Sequence, residues 1–112
     1  MLLKGLKGRK NFLVLLAHPP FYRSYLLDVY IRYIDTSSNN LKKPVIYLGI
    51  SFSKKLKTNA VTRNKTRRRI REIFRKFMAE KISSSYQILV KVKALPKKDD
   101  FWVWKDEFDK IF

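Results

Sequence analysis

The chain of 112 residues contains no cysteine, one histidine, three glycines, and nine acidic residues against 26 lysines and arginines. Without cysteine there are no disulfides, thiol nucleophiles or thiolate zinc sites, which fits a reducing, cytoplasmic setting. The lone histidine, His18, precedes Pro19-Pro20 and lacks the companions that acid–base or metal chemistry needs. No catalytic residues and no protein-held metal are expected. Long apolar runs are also missing. The start, MLLKGLKGRKNFLVLLAHPP, imitates a secretory signal, but its apolar run Phe12 to Ala17 is six residues long. That is too short for such a signal or a membrane span, so the segment is assigned to the folded domain and no membrane partner is expected.

What the chain has is positive charge. The formal net charge is +17, and five of the nine acids, Asp99, Asp100, Asp106, Glu107 and Asp109, lie near the end. Residues 1–98 therefore carry a net +20. Such a balance points to a polyanionic partner and a salt-dependent affinity. The length suits one domain, residues 1–112, with one core and no stable protein partner.

The charge is densest between Lys54 and Arg71, with nine basic residues in eighteen positions and no acid. A helix is nevertheless predicted here, from a cap at Thr58 or Asn59 to about Lys81. Ile70, Ile73, Phe74, Phe77 and Met78 form its core face. Asn64, Arg68, Arg71 and Arg75 form a neighbouring stripe spanning roughly 16 Å at the usual helical rise, and Arg63 and Arg67 continue the apolar arc toward the N-terminus. Helix starts favour acids, so arginines there mark a surface awaiting an anion. A solvated face of i,i+4 ion pairs is the competing reading, but only Glu72 and Glu80 are at hand. The RNA-binding candidates are Lys54, Lys55, Arg63, Asn64, Lys65, Arg67, Arg68, Arg71 and Arg75.

Around this helix, the apolar positions up to Leu16 suggest a short first helix broken or capped near Gly5 and Gly8. Strand alternation runs over Tyr25 to Ile34 and again over Val45 to Ser53, with Asp35 to Pro44 as a turn-rich connector that suits a hairpin. In the second strand Ile46, Leu48, Ile50 and Phe52 face one way. Tyr47, Gly49, Ser51 and Ser53 face the other, a set that suits an RNA-contacting face or an ordinary solvent face equally. After Ser83 to Ser85 a third strand, Tyr86 to Leu95, turns Ile88, Val90, Val92 and Ala94 inward and Leu89, Lys91 and Lys93 outward. The strand-helix-strand order makes the second and third strands parallel, adjacent or one neighbour apart. Asp99 or Asp100 caps a last helix with Phe101, Trp104, Phe108, Ile111 and Phe112 on its core face and its acids largely opposite, which suits a shield that leaves the basic helix as the docking face. Trp102 stands outside this apolar stripe.

The run AVTRNKTRRRIRE, preceded by Gly49 to Lys55 (GISFSKK) and by Leu6 and Phe12 at matching separation, resembles the RNR motif and flanking elements of the bacterial ribonuclease P protein subunit. The resemblance covers nearly the whole chain. It implies an α/β (α+β) sandwich in the order α-β-β-(β)-α-β-α with a left-handed crossover. It also implies a protein subunit without chemistry of its own, in an enzyme whose RNA cleaves precursor tRNA with Mg²⁺ held mainly by that RNA. Arg63, Asn64, Arg67, Arg68 and Arg71 would meet ribonuclease P RNA. Phe12, Tyr30 and, from the second strand's open face, Tyr47 would line a cleft for the 5′ leader. The alternatives are a structural ribosomal RNA-binding protein and, further off, a nuclease acting by itself, for which no carboxylate cluster lies beside the basic helix.

Overall fold

The computed structural model describes residues 2–34, 44–78, 81–97 and 101–112. Five strands, β1 (Leu2–Gly5), β2 (Tyr22–Arg23), β3 (Leu27–Ile34), β4 (Val45–Phe52) and β5 (Ser85–Val92), form one sheet in the order β1-β4-β5-β3-β2. Helix α1 (Arg9–Leu16) follows β1, α2 (Ala60–Ile73) joins β4 to β5, and α3 (Phe101–Asp109) ends the chain. The result is the expected mixed α/β sandwich.

The sheet is covered on both faces. On one, Leu27, Val29, Ile46, Leu48, Ile88, Val90 and Val92 pack against Ile70, Ile73 and Phe74 of the basic helix and against Trp104 and Phe108 of α3. On the other, Tyr30 and Leu89 are buried with Leu6 and with Leu15 of α1, and Phe12 and Tyr47 pack against them. Leu89 is therefore fully buried, not outward as its alternation suggested. The run Ile88-Leu89-Val90 is what a strand with two covered faces requires.

Three further expectations are corrected. Residues 2–5 form a strand parallel to β4, not the start of a helix. Leu3 and Leu6, three apart, share a face in a helix but take opposite faces in extended chain, and here Leu3 joins the larger core and Leu6 the smaller. The element order gains β1 before the first helix, and the short β2 supplies the optional third strand between the first helix and the basic one. Finally, β3 and β4 are not a hairpin pair, because β5 lies between them, antiparallel to β3 and parallel to β4. The connector itself, apart from Pro44, falls outside the described residues. Ser85, expected in the break before the third strand, opens β5 and accepts a hydrogen bond from Val45 N at 2.9 Å. The parallel β4-α2-β5 crossover joins adjacent strands, as one expected alternative held.

Helix α3 departs from its expected pattern at Glu107, which is buried and accepts a hydrogen bond from the Tyr22 hydroxyl at 3.0 Å. Asp109 takes Lys81 at 2.9 Å and Lys105 at 2.7 Å. Those two hydrogen bonds, Lys105 first, hold its carboxyl below its ordinary pKa. The acids of α3 are thus spent largely on internal ties. The proposed caps Asp99 and Asp100 lie outside the described residues. Burial, then the bond and charge of Glu107, raise the pKa of Tyr22. The phenol therefore stays protonated and donating at neutral pH, and its contribution is lost as pH climbs through the raised pKa. Tyr22→Phe is expected to cost about 1.5–3 kcal/mol at neutral pH, as for a hydrogen bond to a charged group, read from urea unfolding.

Candidate nucleic-acid interface

Helix α2 begins at the Asn59 cap, whose side chain accepts from Thr62 N at 2.8 Å, and its first turn contains no acid. Its free N–H groups add partial positive charge to the arginines. Beyond Ile73 it continues through one π-helical turn, Phe74–Met78, which keeps both Phe74 and Met78 fully buried. Asn64, Lys65, Arg68, Arg71 and Arg75 are exposed along one side, and Arg63 and Arg67 are half-buried where the core ends. The two half-buried guanidiniums lie over the ring of Phe52 on β4, at 5.9 and 5.1 Å from its centroid. Arg67 also donates to Asn64 at 3.2 Å. Phe52 thereby orients two planar forks at the helix edge.

Acids do little to neutralise this surface. Glu72 pairs with Arg75 at 3.0 Å and with Lys76 at 3.2 Å. Among the described residues, Lys65, Arg68 and Arg71 have no ion pair. The Arg63 Nε is buried with no hydrogen-bond partner among protein atoms. Lys54 and Lys55 project from the turn between β4 and α2, where Leu56 N donates to Ser53 O at 3.0 Å.

Across the sheet, α1 and the strands enclose a cleft of about 790 Å³, lined by residues that include Lys4, Lys7, Asn11, Arg32, Tyr33, Tyr47 and Gln87. Tyr47 and Gln87 are register partners on β4 and β5. Gln87 Nε2 reaches Asn11 Oδ1 at 3.4 Å, and its Oε1 is buried without a partner. Of the three expected cleft residues, Tyr47 lines this space. Phe12 and Tyr30 do not line it: Phe12 is half-buried, packed against the cluster that Leu6 and Tyr47 share, and Tyr30 is only 9% exposed, as floor beneath α1. Arg32 could have been found from its alternation with Tyr30. Gln87 could not, because its place opposite Tyr47 requires β5 to enter between β3 and β4.

Gly49 is buried on β4 beneath Leu6 and Phe12. A Cβ there would stand 3.1 Å from Leu6 Cδ2 and from two ring atoms of Phe12. Gly49→Ala is expected to displace the half-buried ring of Phe12, since its Cβ would crowd two ring atoms. A melting curve and the change in Phe12 ring signals by NMR measure the effect.

No three of His, Cys, Asp and Glu gather as metal ligands among the described residues. None of their helices is long and apolar enough to cross a membrane. His18 lies exposed after α1.

One sheet with a polycationic helix on one face and a cation-rimmed cleft on the other makes a small basic α/β protein with two separate candidate surfaces. The chain belongs to the ribonuclease P protein family, whose sequence pattern matches residues 3–112. It is 29% identical over 106 residues to the ribonuclease P protein component of Pseudanabaena sp. (strain PCC 6903), covering 95% of this chain and 85% of that one. Its fold matches the RNase P protein of Thermotoga maritima with a TM-score of 0.70 at 24% identity, over 96% of this chain and 94% of the other. The Staphylococcus aureus RNase P protein matches with a TM-score of 0.68 at 23% identity, over 95% and 89%. Membership implies partnership with a ribonuclease P RNA, in an endoribonuclease complex that acts in tRNA processing.

Proposed function

We propose that this chain is the non-catalytic protein subunit of a cytoplasmic ribonuclease P. It docks on the RNA subunit through α2 and holds the 5′ leader of precursor tRNA in the cleft between α1 and the sheet. The observation that supports this most strongly is the division of β4. Phe52 on one face orients Arg63 and Arg67, while Tyr47 on the other lines the cleft. A single rigid strand thus carries a phosphate-gripping surface and a stacking surface.

Two RNAs repel each other, and a protein of charge +17 between them lowers that repulsion and the Mg²⁺ needed to offset it. Arginine forks suit phosphate bidentately, and Asn64 suits phosphate, sugar or a base edge. The cleft suits an extended single strand, with Tyr47 and Phe12 offering ring faces and Lys4, Lys7 and Arg32 offering cations. Hard divalent ions take several oxygen ligands, and among the described residues the acid on α2, Glu72, is engaged by two cations. In this reading Mg²⁺ is held mainly by the RNA, which also carries the cleavage chemistry.

The test is cleavage of precursor tRNA by a bacterial ribonuclease P RNA at low Mg²⁺, with this protein, without it, and with protein alone. Cleavage only in the combined sample is expected. Cleavage by protein alone would assign the chemistry to the chain. No gain over a compatible RNA by itself would favour a structural ribosomal role, checked by co-sedimentation with ribosomes.

A further inference from the structure

Trp102 is 62% exposed at the start of α3, two residues before the fully buried Trp104. A single exposed apolar residue needs no explanation, but this one is held in place. Its ring packs edge-on against Phe101 at 5.3 Å and tilted against Phe77 at 6.4 Å. Lys105 Nζ lies 4.9 Å from the Phe77 centroid. Phe101 in turn walls a groove of about 340 Å³ between α2 and α3, whose other lining residues are Lys65, Arg68, Arg69, Glu72 and Lys76. Four cations and one engaged carboxylate thus line a groove walled by Phe101, whose ring in turn holds the solvent-facing indole of Trp102.

We propose that this groove is a second RNA site, where Trp102 stacks an unpaired base of ribonuclease P RNA while Lys65, Arg68 and Lys76 hold the adjoining phosphates. The inference rests on the proposed function. Charge complementarity selects a nucleic acid over an apolar protein segment, and an indole face beside cations suits an unpaired base. The position selects the RNA subunit over the leader. Helices α2 and α3 pack on one face of the sheet, whereas α1 and the cleft occupy the other. A leader seated in that cleft leaves the groove to the RNA on the α2 side. Lys65 and Arg68 would then turn from the RNR helix toward α3, extending the docking surface across two helices.

The experiment compares wild type, Trp102→Ala and Trp102→Phe for ribonuclease P RNA affinity across a salt series, with indole emission followed during titration. Trp102→Ala is expected to weaken binding about tenfold, within the range for one base stack. Its salt slope should stay unchanged, because no charge is removed, and its preference for precursor over mature tRNA should be kept. Trp102→Phe should recover part of the loss. Emission present in wild type and absent from Trp102→Phe should be quenched by RNA. Wild-type binding with unquenched Trp102 emission and both variants within twofold would overturn the proposal while leaving the subunit reading intact. No RNA binding by wild type would remove both. Melting curves identify a misfolded Trp102→Ala, and the emission change in wild type then decides the question.

Discussion

Replacing Arg68 and Arg71 together by alanine is expected to weaken ribonuclease P RNA binding roughly a hundredfold or more, with folding stability almost unchanged. Both side chains are exposed on α2, and neither has an ion pair among the described residues. The core residues Ile70 and Ile73 beside them are untouched. Alanine is at least as good a helix former as arginine, and removing two like charges relieves repulsion, so stability should move by no more than about 0.5 kcal/mol. Binding is different. A hydrogen bond to a charged group is worth about 1.5–3 kcal/mol, so removing two of them costs about 3 kcal/mol at the low end, and each 1.4 kcal/mol is tenfold. The slope of log affinity against log salt should also flatten by about 0.7–0.9 for each phosphate that is no longer neutralised. Arg75→Ala is expected to do less, because Glu72 already holds Arg75. Filter binding across a salt series measures both variants. A well-folded double variant with wild-type affinity and slope would mean that this stripe does not face the RNA.

The basic surface was legible because its signal is local. Helical spacing alone placed Asn64, Arg68, Arg71 and Arg75 on one stripe and put Arg63 and Arg67 at the core's edge, where the guanidiniums lie over Phe52. The alternation of β4 likewise separated Tyr47 and Gly49 from Ile46 and Phe52. The cleft was less legible because non-neighbouring segments build it. Gln87 meets Tyr47 only through the insertion of β5, and Lys4 reaches the site because β1 pairs with β4 from across the sheet. Periodicity reports which face a residue takes within its own element, and it says nothing about which element lies alongside. The same limit explains Leu89 and Glu107. Each occupies a position that its own strand or helix marks as outward, and each is covered by a partner distant in sequence, α1 for the leucine and Tyr22 for the glutamate.

Phe12→Ala is expected to lower affinity for precursor tRNA about tenfold or more and to leave mature tRNA nearly unaffected. The ring stands over Gly49, next to the cleft residues Leu6, Asn11 and Tyr47, close enough that a single methyl group would crowd it. It is therefore positioned by the sheet and does not swing freely. Base–aromatic stacking is worth about 1–3 kcal/mol per base. Mature tRNA has no leader to stack, so the loss should appear in one substrate only. The stability cost should fall below the roughly 3–5 kcal/mol typical of truncating a fully buried phenylalanine, because Phe12 is only partly buried and Leu6, Leu15 and Leu89 retain their mutual packing. Phe12→Leu separates the two contributions, since leucine refills much of the apolar packing against Leu6 but offers no ring face. If the leucine variant matches alanine in precursor binding and wild type in melting temperature, the ring acts by stacking. Equal losses for precursor and mature tRNA would instead place the ring against the body of the tRNA, and would move the leader away from α1.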